Sequence, residues 1–169
     1  MTTYDASTAE CFVLTFKDGL LSPIAHDLRL RVRRFEIEVG AGVTATFDAT
    51  SLVVDAPMKD GRENHGALTA ADKAKIEGQI RDDVLHASRH PQVTFRAPAL
   101  TLRDDGGYDL QGELTLHGVT KAITAHTRLV DGRQQLELTL HQPDYGITPF
   151  RAMLGTLKIR PDVTVRIVA

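Results

Sequence analysis

The sequence predicts a mainly β fold: one antiparallel sheet of about eight strands, folded over into a sandwich or closed into a barrel, with a single inserted α-helix. Three observations carry that expectation. Apolar and polar residues alternate with a period of two through most of the chain, which puts one set of side chains on each face of a strand. Short turn pairs such as Asp131-Gly132 separate the alternating runs, and short connections join antiparallel neighbours. One segment, from Thr69 to His86, switches to a helical period.

In the first run Phe12, Leu14 and Phe16 alternate with Val13, Thr15 and Lys17, and alternation assigns the first set to the inner face and Cys11 to the outer one. After the turn pair Asp18-Gly19, the residues His26, Leu28, Leu30 and Val32 alternate with Asp27, Arg29, Arg31 and Arg33. Phe35, Ile37 and Val39 then alternate with Glu36 and Glu38. Val43, Ala45 and Phe47 do the same against Thr44, Thr46 and Asp48, in a run that continues to Val54.

The helical segment follows. Ile76, Ile80 and Val84 stand four apart with Leu85 beside them, Thr69 caps the first turn, and Asp72 reaches back in a capping box. Pro91 stops the helix by His90. Such a helix lies across the wall of a barrel or over its mouth.

The second half returns to alternation. Val93, Phe95 and Ala97 face away from Thr94 and Arg96, and that strand runs on to Leu102. Asp104-Asp105-Gly106-Gly107 turns the chain into Leu110, Leu114 and Leu116, and His117-Gly118 turns it into Ile123, Ala125, Thr127 and Leu129. Asp131-Gly132 leads to Leu136, Leu138 and Leu140. The last run sets Leu157 and Ile159, then Val163, Val165 and Ile167, against Lys158, Arg160, Thr164 and Arg166. Closing the sheet removes its exposed edges, and about eight strands leave an interior able to hold one small ligand.

Length and composition agree with this picture. The 169 residues suit one domain, spanning 1–169, and 42% hydrophobic with 25% charged residues is too apolar for a disordered chain. A net charge of −2 gives no reason to expect nucleic acid as a partner. The one cysteine, Cys11, allows no intrachain disulfide and sits in no nucleophile motif. No apolar run approaches the ~20 residues of a membrane-spanning helix. The start, Met-Thr-Thr-Tyr-Asp-Ala, lacks the basic and apolar regions of a secretory signal, so the expected location is cytoplasmic.

Four stretches carry a resemblance to a known family. His26-Asp27-Leu28-Arg29-Leu30-Arg31-Val32-Arg33-Arg34-Phe35 resembles the early strand of the YceI-like family, and Arg81 to Phe95 resembles its helix end and following strand. Leu114-Thr115-Leu116-His117-Gly118-Val119-Thr120-Lys121 is similar to its most specific turn, and Asp144-Tyr145-Gly146-Ile147 to its Asp-Phe-Gly-Ile. The chain departs from the family pattern in being shorter between Leu85 and Pro91 and in carrying Gln142-Pro143 before the last motif. The resemblance implies a lipocalin-like closed barrel that binds or carries an isoprenoid-type lipid, a quinone or a fatty-acyl ligand, and it admits a homodimer, although no residue marks an interface.

The residues alone leave the interior open to two readings: large inward side chains interdigitate as a solid core, or they line a tube. With the family's lumen, the expected ligand-binding residues are Phe12, Leu14, Phe16, His26, Leu28, Leu30, Phe35, Phe47, Phe95 and Leu114. His26, beside Leu28, is the candidate partner for a ligand's polar head. The competing expectations are an enzyme acting on a small amphiphile, with His26 as general acid or base, and a filled barrel that docks a partner through Arg29, Arg31, Arg33 and Arg34. On their own those arginines read as a solvated stripe paired with Glu36 and Glu38.

No nucleophile elbow, phosphate loop or dinucleotide fingerprint occurs, so neither a catalytic residue nor a cofactor is expected. His26 and Asp27 point to opposite faces. His86 and His90 are four apart, but Pro91 splays them, so no metal is expected either. His117 reads as a turn residue.

Overall fold

The structure is a computed structural model that describes residues 1–18, 26–152 and 157–169. Its strands are β1 (Thr2–Asp5), β2 (Glu10–Thr15), β3 (Asp27–Val32), β4 (Phe35–Val39), β5 (Val43–Asp48), β6 (Leu52–Lys59), β7 (Arg62–Glu63), β8 (Gln92–Ala97), β9 (Leu100–Leu102), β10 (Tyr108–Leu116), β11 (Val119–Val130), β12 (Arg133–His141), β13 (Arg151–Ala152), β14 (Leu157–Lys158) and β15 (Asp162–Val168). The helix α1 (Ala70–Gln79) lies between β7 and β8. Three hairpin tips carry φ above zero at both central residues, as a type I′ turn demands: Asp60-Gly61, His117-Gly118 and Asp131-Gly132. The Gly19 of the expected Asp18-Gly19 turn lies outside the described residues.

Thirteen strands form one antiparallel sheet in the order β1-β4-β5-β8-β10-β11-β12-β15-β2-β3-β6-β7, with β9 on β10, while β13 and β14 pair separately. Two expectations are corrected here. The strands number fifteen among the described residues rather than about eight, and their pairing runs as an open path, a curled sheet, rather than a closed ring. Part of the excess arises where expected single strands break. The run from Val43 to Val54 is interrupted by a 3-10 turn at Ala49–Ser51, and the run to Leu102 breaks where Pro98 supplies no N–H to the ladder.

What curls the sheet is one long bent hairpin. β3 passes into β4 through Arg33 and Arg34, and β5 passes into β6 through the 3-10 turn, so β4–β5 belongs to one end of the path and β3–β6 to the other. Ser51 holds the bend. Its buried Oγ accepts from the backbone N–H of Arg33 at 3.2 Å and of Arg34 at 3.0 Å, and donates to the Asp48 carbonyl at 2.7 Å. Asp48 in turn accepts from Thr50 N–H at 2.8 Å, fixing the turn from its other side.

α1 covers the edge this arrangement leaves on β6. The helix begins with the expected capping box, Thr69 Oγ1 accepting from Asp72 N–H at 3.1 Å and Asp72 from Thr69 N–H at 2.9 Å. Glu77 then accepts from the Val54 N–H at 2.9 Å, satisfying an edge donor of β6. Regular α geometry ends at Gln79, and a wider π turn carries the chain through Ile80–Val84, closed by Leu85 N–H to the Ile80 carbonyl. Leu68, Ile76 and Ile80 pack against Leu28, Leu30 and Val54.

Removing the Ser51 hydroxyl leaves the part-buried Arg34 N–H without its partner, at a cost of about 1–3 kcal/mol, while the Arg33 N–H keeps the Ser51 carbonyl at 3.3 Å. Ser51→Ala is therefore expected to destabilise the protein by about 1–3 kcal/mol in urea unfolding. A loss below about 0.5 kcal/mol would show that the bend is held elsewhere.

Candidate functional site

The inner face of the curled sheet and the inner side of α1 enclose a cavity of about 720 Å³, well inside the roughly 300–1,000 Å³ of ligand sites. Its walls are mainly aliphatic, with contributions from most strands of the sheet and from the helix: Val43 and Ala45 of β5, Ile123 and Ala125 of β11, Leu136, Leu138 and Leu140 of β12, and Val163, Val165 and Ile167 of β15. The helical segment adds Ile76, Ile80, Val84 and Leu85. These positions lie on the expected alternating faces and on the helix's apolar stripe, so the same periodicity that located Leu28 or Phe95 could have found them. A backbone detail makes room for Phe95: a Cβ on Gly112 would stand 2.8 Å from two of its ring carbons, so only glycine lets that ring lie over β10.

Of the ten expected ligand-binding residues, the structure brings six to the cavity wall: His26, Leu28, Leu30, Phe47, Phe95 and Leu114. Phe35 is buried in the adjoining core, stacked on Phe47 with ring centroids 5.9 Å apart, and does not reach the wall. Phe12, Leu14 and Phe16 are not on the wall at all, and the facing of β2 is the reverse of that expected. Cys11, Val13 and Thr15 point into the cavity, and burial pushes the Cys11 thiol up to about 12.

The ladder explains the reversal. Phe12 stands opposite Arg31 on one side and Arg166 on the other, and Leu14 opposite Arg29, so all share the outer face. Phe12 is nevertheless only 8% exposed, because the guanidinium groups of Arg29 and Arg31 lie 5.3 and 4.6 Å from its ring centre. Three of the four arginines are paired, but not with Glu36 and Glu38. Arg29 pairs with Asp55 at 2.6 Å and with Glu63, Arg31 with Asp55 at 3.3 Å and Glu10 at 3.7 Å, and Arg34 with Asp48 at 2.9 Å.

Polar groups on the wall are few, and several are satisfied within the protein. Thr127 Oγ1 donates to Gln134 Oε1 at 2.6 Å, whose amide donates to the Gly106 carbonyl at 2.9 Å, and the Gln142 amide donates to the Arg160 carbonyl at 3.0 Å. Thr15 is different: its buried hydroxyl has no partner among the described residues. It lies opposite Leu28, two positions from His26, so both polar groups are at the same end of the cavity.

His86 and His90 do not splay apart without contact. Both rings meet His117 of the β10–β11 turn, with centroids 5.4 and 4.7 Å from it, tilted by 36° and 57°. His117 Nδ1 lies 3.1 Å from the Tyr145 carbonyl, which ties the cluster to the last motif. Among the described residues, no three His, Cys, Asp or Glu side chains are placed to hold a metal ion.

A family model described as the YceI-like domain matches residues 19–169. A UPF0312 protein of Vibrio cholerae is 29% identical over 91 residues, 53% of this chain and 44% of the relative, so the chain spans less than half the length of that curated relative. The protein YceI of Escherichia coli is 38% identical over 48 residues, 28% of this chain and 25% of that protein. Among solved structures, BcnA of Burkholderia cenocepacia matches with a TM-score of 0.69 at 14% identity, over 97% of this chain and 96% of that one. A polyisoprenoid binding domain from Saccharophagus degradans, implicated in plant cell wall breakdown, matches with a TM-score of 0.64 at 15% identity, over 98% and 94%. At these identities the structural likeness is one of fold.

The histidine cluster makes stability depend on pH. Burial, then His117, Arg89 and His86, hold the His90 pKa below its usual 6.5. The unfolded chain therefore binds that proton more readily, and stability is full above about pH 6.5 and declines as the pH falls below it. Thermal unfolding between pH 7.5 and 5.5 is expected to show a falling Tm for the native protein and a shallower fall for His90→Gln. Equal slopes would remove His90 from the account.

Proposed function

The chain belongs to the family of YceI-like domains, and on that premise we propose that it is a non-enzymatic carrier, acting as one domain over 1–169, for an apolar ligand of isoprenoid, quinone or fatty-acyl type. The observation that carries this reading is the cavity itself, about 720 Å³ of space walled mainly by aliphatic side chains. A sheet whose inward residues interdigitated would leave no such volume. The fold shared with the polyisoprenoid binding domain of Saccharophagus degradans supports the same ligand class.

The energetics allow it. Nanomolar binding needs about 12 kcal/mol, the nominal burial of about fifteen methylene groups. Ordering a flexible chain offsets part of that gain, so ligands of about twenty to forty carbons are expected. Selectivity then rests on the length and girth of the cavity, with Thr15 and His26 available to a polar head.

Native mass spectrometry, with organic extraction of protein purified without detergent, is expected to release one apolar molecule of defined mass. A clean apo mass, with no shift on adding an isoprenoid quinone or a fatty acid, would defeat the reading. Ala125, 3% exposed and on the cavity wall, offers a control. Ala125→Phe fills the lumen and is expected to cut ligand retention at least about tenfold while the protein stays folded.

Thr15→Val separates the head from the tail. Losing a buried hydroxyl that has no partner among the described residues should leave stability equal or slightly higher. Affinity for a quinone should fall about threefold or more, while affinity for a hydrocarbon of equal length holds. A parallel loss for both ligands would deny Thr15 any role at a polar head.

A further inference from the structure

The apolar inner face does not stop at the rim of the cavity. In β9, Leu100 lines the cavity, and Leu102, two positions on and opposite Tyr108, is 66% exposed. In β11, Leu129 follows Thr127 on the same face; it lines the cavity and is also 48% exposed. Val130, the next residue, turns to the opposite face of β11 beside the Asp131-Gly132 tip and is 39% exposed, so apolar side chains flank both sides of that tip. Gly106 joins the two hairpins, since a Cβ there would stand only 3.0 Å from Leu129 Cδ2. Among the described lining residues, those that are exposed are Thr2, Leu129 and Gly132, all at this one end.

Charge around this lip is mixed. Arg103, Arg128 and Arg133 share these hairpins with Asp104, Asp105, Asp109 and Asp131. Arg103 is held by Asp105 at 3.3 Å and Asp109 at 3.4 Å, and Arg133 donates to the Val168 carbonyl at 3.0 Å. A surface that is apolar, contiguous with the cavity wall and without excess positive charge is suited to neutral lipid rather than to an anionic or nucleic-acid partner.

We propose that the lip formed by Leu102, Leu129 and Val130 docks on the surface of a lipid bilayer, so that the ligand passes between membrane and cavity without crossing water. The proposal rests on the carrier reading. Its physical basis is that a long apolar chain leaves a membrane for water very slowly, whereas contact offers a continuous apolar path. Docking through so few side chains is weak and reversible, as collection and delivery of a ligand require.

The test uses phosphatidylcholine vesicles carrying a long-chain isoprenoid quinone, beside a short-chain quinone soluble in water. Leu102 and Val130 do not line the cavity, so the double variant Leu102→Asp with Val130→Asp should bind the short-chain quinone as the native protein does. Transfer from vesicles should rise in proportion to vesicle concentration, change less than about twofold with added salt, and slow about tenfold in the variant. A transfer rate independent of vesicle concentration, or equal in both proteins, would overturn the proposal and leave the carrier reading standing. So would a change from dimer to monomer in the variant by sedimentation, which would assign the lip to a second copy of this chain. No uptake of the short-chain quinone by either protein would defeat the carrier reading itself, and the docking proposal with it.

Discussion

Ser51 sits where one long hairpin bends between the two ends of the sheet, and its hydroxyl accepts from both backbone N–H groups of the Arg33-Arg34 link. The curl depends on that bend. Were the hairpin straight, β4 with β5 and β3 with β6 would extend as a single ribbon, and no interior would exist. With the bend in place the two ends of the strand path are joined covalently instead of by a closing ladder, and α1 with Glu77 covers the β6 edge that remains. A buried polar residue with its hydrogen bonds satisfied here specifies shape as well as stability.

Most of the architecture was legible in the sequence because it follows from period. The alternating runs from Leu28 to Phe47, from Leu110 to Leu140 and from Leu157 to Ile167, the Asp131-Gly132 turn and the Thr69–Asp72 box are all local signals, and the structure realises them. Closure was not legible, since it depends on where strands end and break, and Ala49–Ser51 carries no local sign that it is a corner. The site was readable to a similar degree. Leu28, Leu30, Phe47, Phe95 and Leu114 reach the wall because each lies on a strand whose two faces differ sharply in polarity.

β2 was misread for a physical reason. Phe12 and Leu14 are more apolar than Cys11 and Thr15, and alternation alone ranks faces by apolarity. The ranking is overturned by neighbours far along the chain. Arg29, Arg31 and Arg166 stand beside β2 in the ladder, and their aliphatic stems and guanidinium planes shelter Phe12 from water on the outer face. The carboxylates of Asp55, Glu10 and Glu63 complete the arrangement, so Arg29 and Arg31 form an ion-paired cover, as a solvated stripe should, with other carboxylates than Glu36 and Glu38. Small or polar residues are thereby left facing the interior, where a second phenylalanine row would have narrowed it.

The π turn at Ile80–Val84 has a consequence for how this chain can vary. In a regular α-helix each residue advances about 100°, so a side chain five positions on is rotated about 140° away from the first. The wider turn absorbs that phase error, and both Val84 and Leu85 reach the cavity wall with Ile80. The segment acts as a vernier: deleting one residue would restore α-helical pitch but turn one of the two side chains away and shift the His86–His90 loop out of step with His117. Exposed tips such as Asp131-Gly132 are free of that constraint, so differences in length among chains of this shape should collect at the hairpins and be filtered out between Ile76 and Pro91.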